Sequence, residues 1–181
     1  SMKEIMNKPT ILCIYFILVE MAPSQGHWET AIYADDVWSY VVPESELPSE
    51  WNTLDFDDSA WLSGPGGIGY GDGDDGTEIS PAISVYLRRV FTVSDTANLI
   101  SAILHADYDD GFVAYLNGFE IGRSSNLGDP GTFVSFDGAT NGDHEAQLYQ
   151  GGYPDAHALD SLQLSSLLIT GNNVLAVQVH N

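Results

Sequence analysis

Carboxylates dominate the residues able to do chemistry, and they gather in three clusters. The first runs Asp72-Gly73-Asp74-Asp75-Gly76-Thr77-Glu78. Acids at alternate positions around glycines can wrap a calcium ion, which takes six to eight oxygens in flexible geometry. No helical pattern flanks the cluster and no glutamate stands at the twelfth position, so it is not an EF-hand, and a solvated acidic turn is the other reading. The second is Asp107-Tyr108-Asp109-Asp110-Gly111. Asp107, Asp109 and Asp110 here, with Asp72 and Asp74 before them, form the candidate metal set, for calcium. The alternative is a turn whose Asp side chains accept from backbone N–H groups. The third comprises Asp137, Asn141, Asp143 and Glu145.

Aromatic residues offer a different chemistry. Rings stack on the apolar faces of sugars while a polar rim supplies hydrogen bonds. Trp61, Tyr70 and Tyr108 are the candidates to do so, with Asp109 and with Arg123, which could bind a carboxylate or a sugar hydroxyl; Tyr149 and Tyr153 are further surface candidates, and Trp51 another ring of the first long loop. For Trp51 and Trp61 a place in the core competes with the surface role, and for Arg123 a salt bridge does. His27, His105, His144, His157 and His180 show no paired spacing, so neither a zinc site nor a hydrolase constellation is supported. No Gly-x-Ser-x-Gly elbow occurs, and the carboxylates are too numerous to single out a glycosidase pair.

The elements that must position these residues are strands. Apolar runs are short, alternate, and end at Gly, Asn, Asp or Pro. Strands are expected at 37–42, 86–93, 99–106 and 174–180, with a weaker one at 132–136. The stretch 162–169 reads as a strand or a short helical turn. Asn117-Gly118 separates two apolar runs, 112–116 and 119–123, and marks a type I′ hairpin, since both residues tolerate positive φ. The loops at 43–85 and 124–160 are long enough to carry function. The fold class expected is all-β, an antiparallel β-sandwich or jelly roll.

The chain has 181 residues, enough for one domain with a core. Its net charge is −21, with five Lys and Arg against 26 Asp and Glu. That excludes phosphate-led nucleic-acid binding and attraction to anionic membranes. Residues 2–25 place Lys3 and Lys8 before an apolar run, Ile11 to Val19, in the order of a secretory signal peptide. The run is too short to span a bilayer, which takes roughly 20 residues. A packed N-terminal strand is the alternative. Residues 1–25 are therefore expected to be a signal peptide or disordered segment, and 26–181 the sandwich. Cys13 is the single cysteine, so no disulfide framework forms.

Three blocks together resemble a known family: Trp51 through Asp55-Phe56-Asp57-Asp58 to Trp61 with Gly64 to Gly71; Tyr86 to Phe91; and Ala106 to Gly118, closed by Gly171 to Asn181. They look like the galactose-binding-domain-like jelly rolls of secreted bacterial proteins, which act as carbohydrate-binding modules. The Asp109-Asp110 pair is also similar to calcium-binding adhesin domains of the protective-antigen type. The resemblance implies a non-catalytic, calcium-dependent, secreted or cell-surface module that binds a polysaccharide or glycan beside other domains of a longer parent chain. A calcium-stabilised adhesion or scaffolding domain is the alternative, and a polysaccharide-active enzyme a third reading.

Overall fold

A computed structural model describes residues 13–21, 26–71 and 75–181. Its strands are β1 (Cys13–Met21), β2 (Gly26–Ile32), β3 (Val37–Val41), β4 (Leu62–Pro65), β5 (Ile68–Gly69), β6 (Thr77–Glu78), β7 (Ser84–Val93), β8 (Leu99–Asp107), β9 (Gly111–Leu116), β10 (Phe119–Arg123), β11 (Asp155–Asp160) and β12 (Gly171–His180), with one helix, α1 (Ser161–Leu167). A four-stranded sheet runs β11-β8-β1-β2 and a six-stranded sheet runs β10-β9-β12-β7-β3-β4. Both are antiparallel throughout; β5 and β6 form a small parallel pair. The fold is the expected all-β antiparallel sandwich.

Strand period two explains the core. In β12, Leu175, Val177 and Val179 point inward and are buried with Val85 and Leu87 of β7 and Phe112, Ala114 and Leu116 of β9. From the other sheet come Ile14, Phe16 and Leu18 of β1 and Ala102, Leu104 and Ala106 of β8. Ile14 to Leu18 lie in the apolar run read as a leader. From Cys13 onward that run is an inner strand, bonded to β8 on one side and β2 on the other.

Local signals account for the connections. Asn117 (φ 50°) and Gly118 (φ 91°) make the β9–β10 turn with both residues left-handed. Gly66 must lack a side chain, because a Cβ there would sit 1.8 Å from the carbonyl oxygen of Ala34. The ambiguous stretch after 160 is a helix, started by a capping box: Asp160 Oδ1 accepts from Gln163 N at 2.9 Å and Gln163 Oε1 accepts from Asp160 N at 3.0 Å. The weaker strand expected at 132–136 is irregular chain instead. It bonds through side chains, not a ladder: Gln178 Nε2 donates to Val134 O at 3.0 Å and Glu46 Oε1 accepts from Phe136 N at 2.9 Å.

Candidate functional site

The outward-facing side chains of the six-stranded sheet are unusual for a solvent face. Tyr86 of β7 lies opposite Gln178 of β12, and Ala176 of β12 lies opposite Tyr115 of β9. Strand register therefore brings two tyrosines and a glutamine side by side. Gln178 Nε2 donates to the Tyr86 hydroxyl at 2.7 Å. Burial raises the Tyr86 hydroxyl well above its ordinary pKa, with the Glu46 charge adding to the rise, so it stays a neutral phenol.

The segment between β3 and β4 folds over this face. Trp51 sits edge-on against Tyr86 (4.6 Å between centroids) and Tyr115 (5.6 Å). Arg88, also outward on β7, ties the segment down. Its Nε donates to Asp58 Oδ2 at 2.8 Å, its Nη1 to the carbonyls of Trp51 and Thr53, and its Nη2 to that of Phe56. Phe56 also stacks beneath the guanidinium, 5.1 Å from its carbon. The buried charge is thus paired and hydrogen-bonded on every side, as a buried cation must be.

A cleft of about 140 Å³ remains between this segment and residues 133–134. Its lining combines the rings of Trp51, Tyr86 and Tyr115 with the polar side chains of Glu46, Asn52 and Gln178. Phe133 stands at the cleft 80% exposed. The far wall is braced by Glu46, whose Oε1 accepts from Ser135 Oγ at 2.7 Å and from Phe136 N. Ser84 Oγ donates to the Phe136 carbonyl at 2.5 Å.

The residues expected from sequence fall elsewhere. Trp61 packs edge-on against Phe56 (5.7 Å) in the satellite cluster under the covering segment. Tyr70 is half-buried, and its hydroxyl accepts from Asn181 Nδ2. With Asp110 and Asp143 it lines a separate open groove. Tyr108 is buried, stacked on His144 (4.2 Å), and donates its hydroxyl to Asp155 Oδ2 at 2.7 Å. Arg123 is pinned to Glu120 (2.9 Å) and to the carbonyls of Leu127 and Thr132.

The acidic turn is buried too. Asp107 accepts from the backbone N–H groups of Gln147 (2.6 Å) and Leu148 (3.1 Å), and Asp110 Oδ1 from His144 N (2.8 Å). Asp109 is buried beside them. Asp107 and Asp110 thus latch the 144–148 segment onto the sandwich end. Asp72 and Asp74 lie outside the described residues. Among the described residues, no group of three or more His, Cys, Asp or Glu is placed to hold a metal ion.

The outward set Tyr86, Arg88, Tyr115 and Gln178 was missed in the sequence. Its signal was there in the alternation: Tyr86 and Arg88 share one face of β7 and Val85 and Leu87 the other.

No family model matches the chain, and no curated protein matches it. Among solved structures it is similar to the β-glucuronidase of Bifidobacterium dentium, determined in complex with coumarin-3-O-glucuronide. The identity is 20% and the TM-score 0.49, and the match covers 93% of this chain and 20% of that one. This chain therefore corresponds to about a fifth of that protein's length.

Proposed function

We propose that this chain is a non-catalytic carbohydrate-binding module of the galactose-binding-like kind, and that it holds one sugar ring in the cleft over Trp51, Tyr86 and Tyr115. The observation that carries the reading is the cleft itself. Its 140 Å³ is close to the roughly 150 Å³ cavity that takes a benzene ring. Aromatic rings and hydrogen-bonding side chains line it together, the mixture that suits a sugar with apolar ring faces and polar hydroxyls. The Tyr115 hydroxyl, the Asn52 amide and the Gln178 side-chain carbonyl make no protein hydrogen bond among the described residues, so they are available to ligand hydroxyls.

The same lining supports a binding role over a hydrolytic one at this cleft. Glycoside hydrolysis ordinarily needs two carboxyl groups flanking the bond, and Glu46 is the single acid among the lining residues. In this reading the protein is an accessory part of a longer extracellular chain. Its acidic surface keeps it off nucleic acids and anionic membranes. In this reading the cleft binds sugar without calcium, and Asp107 and Asp110 serve the loop latch at the sandwich end.

Affinity electrophoresis through a panel of soluble polysaccharides tests this. At least one polysaccharide should retard the protein, and Tyr115→Ala should weaken that retardation by at least about tenfold. A folded protein that no polysaccharide retards would remove the reading.

A further inference from the structure

We infer that the cleft accepts an uncharged sugar ring and rejects its carboxylated counterpart; this rests on the carbohydrate reading above. One carboxylate lines the cleft, and two more, Asp137 and Glu50, lie within one or two hydrogen bonds of its lining residues. Glu46 lines it directly. Ser135 Oγ lies between Glu46 and Asp137, within hydrogen-bond reach of both carboxylates. Ser49, another lining residue, donates to Glu50 Oε2 at 3.1 Å. No lysine or arginine is among the lining residues.

The three arginines of this sheet are committed elsewhere, Arg89 to Asp36 at 3.4 Å and to the Val37 carbonyl at 2.9 Å. The Arg88 side chain is 1% exposed and paired with Asp58, and the Arg123 side chain is 3% exposed and paired with Glu120. A sugar carboxylate is recognised best by a forked guanidinium, and it would find none here. It would meet like charge instead, on a chain whose net charge is already −21. Beside Glu46, the groups that face the ligand are a phenol, an amide and an amide carbonyl. These suit sugar hydroxyls, which both donate and accept.

Ligand-observed NMR with matched pairs of methyl glycosides and methyl glycuronides of glucose, galactose and mannose provides the test. The neutral member of at least one pair should bind, with its uronide at least about tenfold weaker at 10 mM salt. The gap should narrow at 1 M salt, where the Debye length falls from about 30 Å to about 3 Å. It should also narrow in Glu46→Gln, whose Oε1 can still accept from Ser135 and Phe136. A uronide binding as well as its neutral partner, or a gap insensitive to salt, would overturn the inference and leave the carbohydrate reading standing. If no member of any pair binds the folded protein, the carbohydrate reading falls, and this inference with it.

Discussion

Arg88 Nε lies 2.8 Å from Asp58 Oδ2, joining the centre of the six-stranded sheet to the segment that roofs it. The arginine side chain is almost fully buried and the aspartate about a quarter exposed. Cutting the pair leaves Asp58 and the carbonyls of Trp51, Thr53 and Phe56 without their donor. Arg88→Met should therefore cost about 3 kcal/mol, the low end for breaking a buried pair because Asp58 keeps some water. Urea unfolding of both proteins measures it. The same variant should lose cleft binding, since Trp51 rides on the segment released.

Phe16 is buried at the centre of the sandwich, edge-on to Phe91 at 5.7 Å. Phe16→Ala should destabilise by about 3–5 kcal/mol. A chain beginning at Gly26 loses β1 altogether, leaving β8 and β2 without the strand between them. It should give a broad, non-cooperative thermal transition and bind a hydrophobic dye. A sharp melt matching that of the full chain would show that β1 is dispensable.

His180 donates from Nδ1 to the Gly138 carbonyl at 2.7 Å and is fully buried. Burial pulls its pKa below the ordinary value, against a smaller upward pull from that hydrogen bond. His157 shifts the same way, also through burial. An unfolded histidine titrates near 6.5, so just below that pH the unfolded chain takes up protons that the folded chain refuses. Both histidines therefore contribute stability that is full above about pH 6.5 and falls as pH drops through their folded values. Denaturation midpoints between pH 7.5 and 5 should decline in the natural protein. They should decline less in the double variant His180→Asn/His157→Asn, where the asparagine amide introduced in β12 can still donate to the Gly138 carbonyl.

Asp107 receives two backbone N–H groups of the 144–148 segment. Asp107→Ala should cost about 1.5–3 kcal/mol, the range for hydrogen bonds to a charged group. If the latch works without a metal, millimolar calcium leaves the melting temperature of the natural protein unchanged. A rise of several degrees with calcium, abolished in Asp107→Ala, would establish the calcium site expected from the acidic spacing.

Much of the sandwich was legible because its central strands are both apolar and alternating. β7, β8, β9, β10 and β12 stood out in the sequence, as did the Asn117-Gly118 turn. β11 did not. Asp155-Ala156-His157-Ala158-Leu159-Asp160 has weak strand propensity, and it is held as a strand by pairing to β8 along its whole length. The helix at 161–167 was ambiguous until Gln163 was seen to close on Asp160. For the candidate site, residue type does not reveal burial: Tyr108 and Arg123 have sugar-binding chemistry, but in the fold both side chains are buried and hydrogen-bonded within the protein. The cleft was hidden because its walls come from β7, β9, β12 and two long loops, and only strand register brings Tyr86, Tyr115 and Gln178 together.

The central claim is that the cleft, and not the acidic sandwich end, binds sugar. A glycan array probed with the natural protein and with Tyr115→Ala, each in calcium and in chelator, tests it most directly. The account predicts binding of the natural protein to a set of neutral glycans, equal in calcium and chelator, and loss of that binding in Tyr115→Ala. Binding that vanishes in chelator, or that survives the Tyr115 change undiminished, would contradict it.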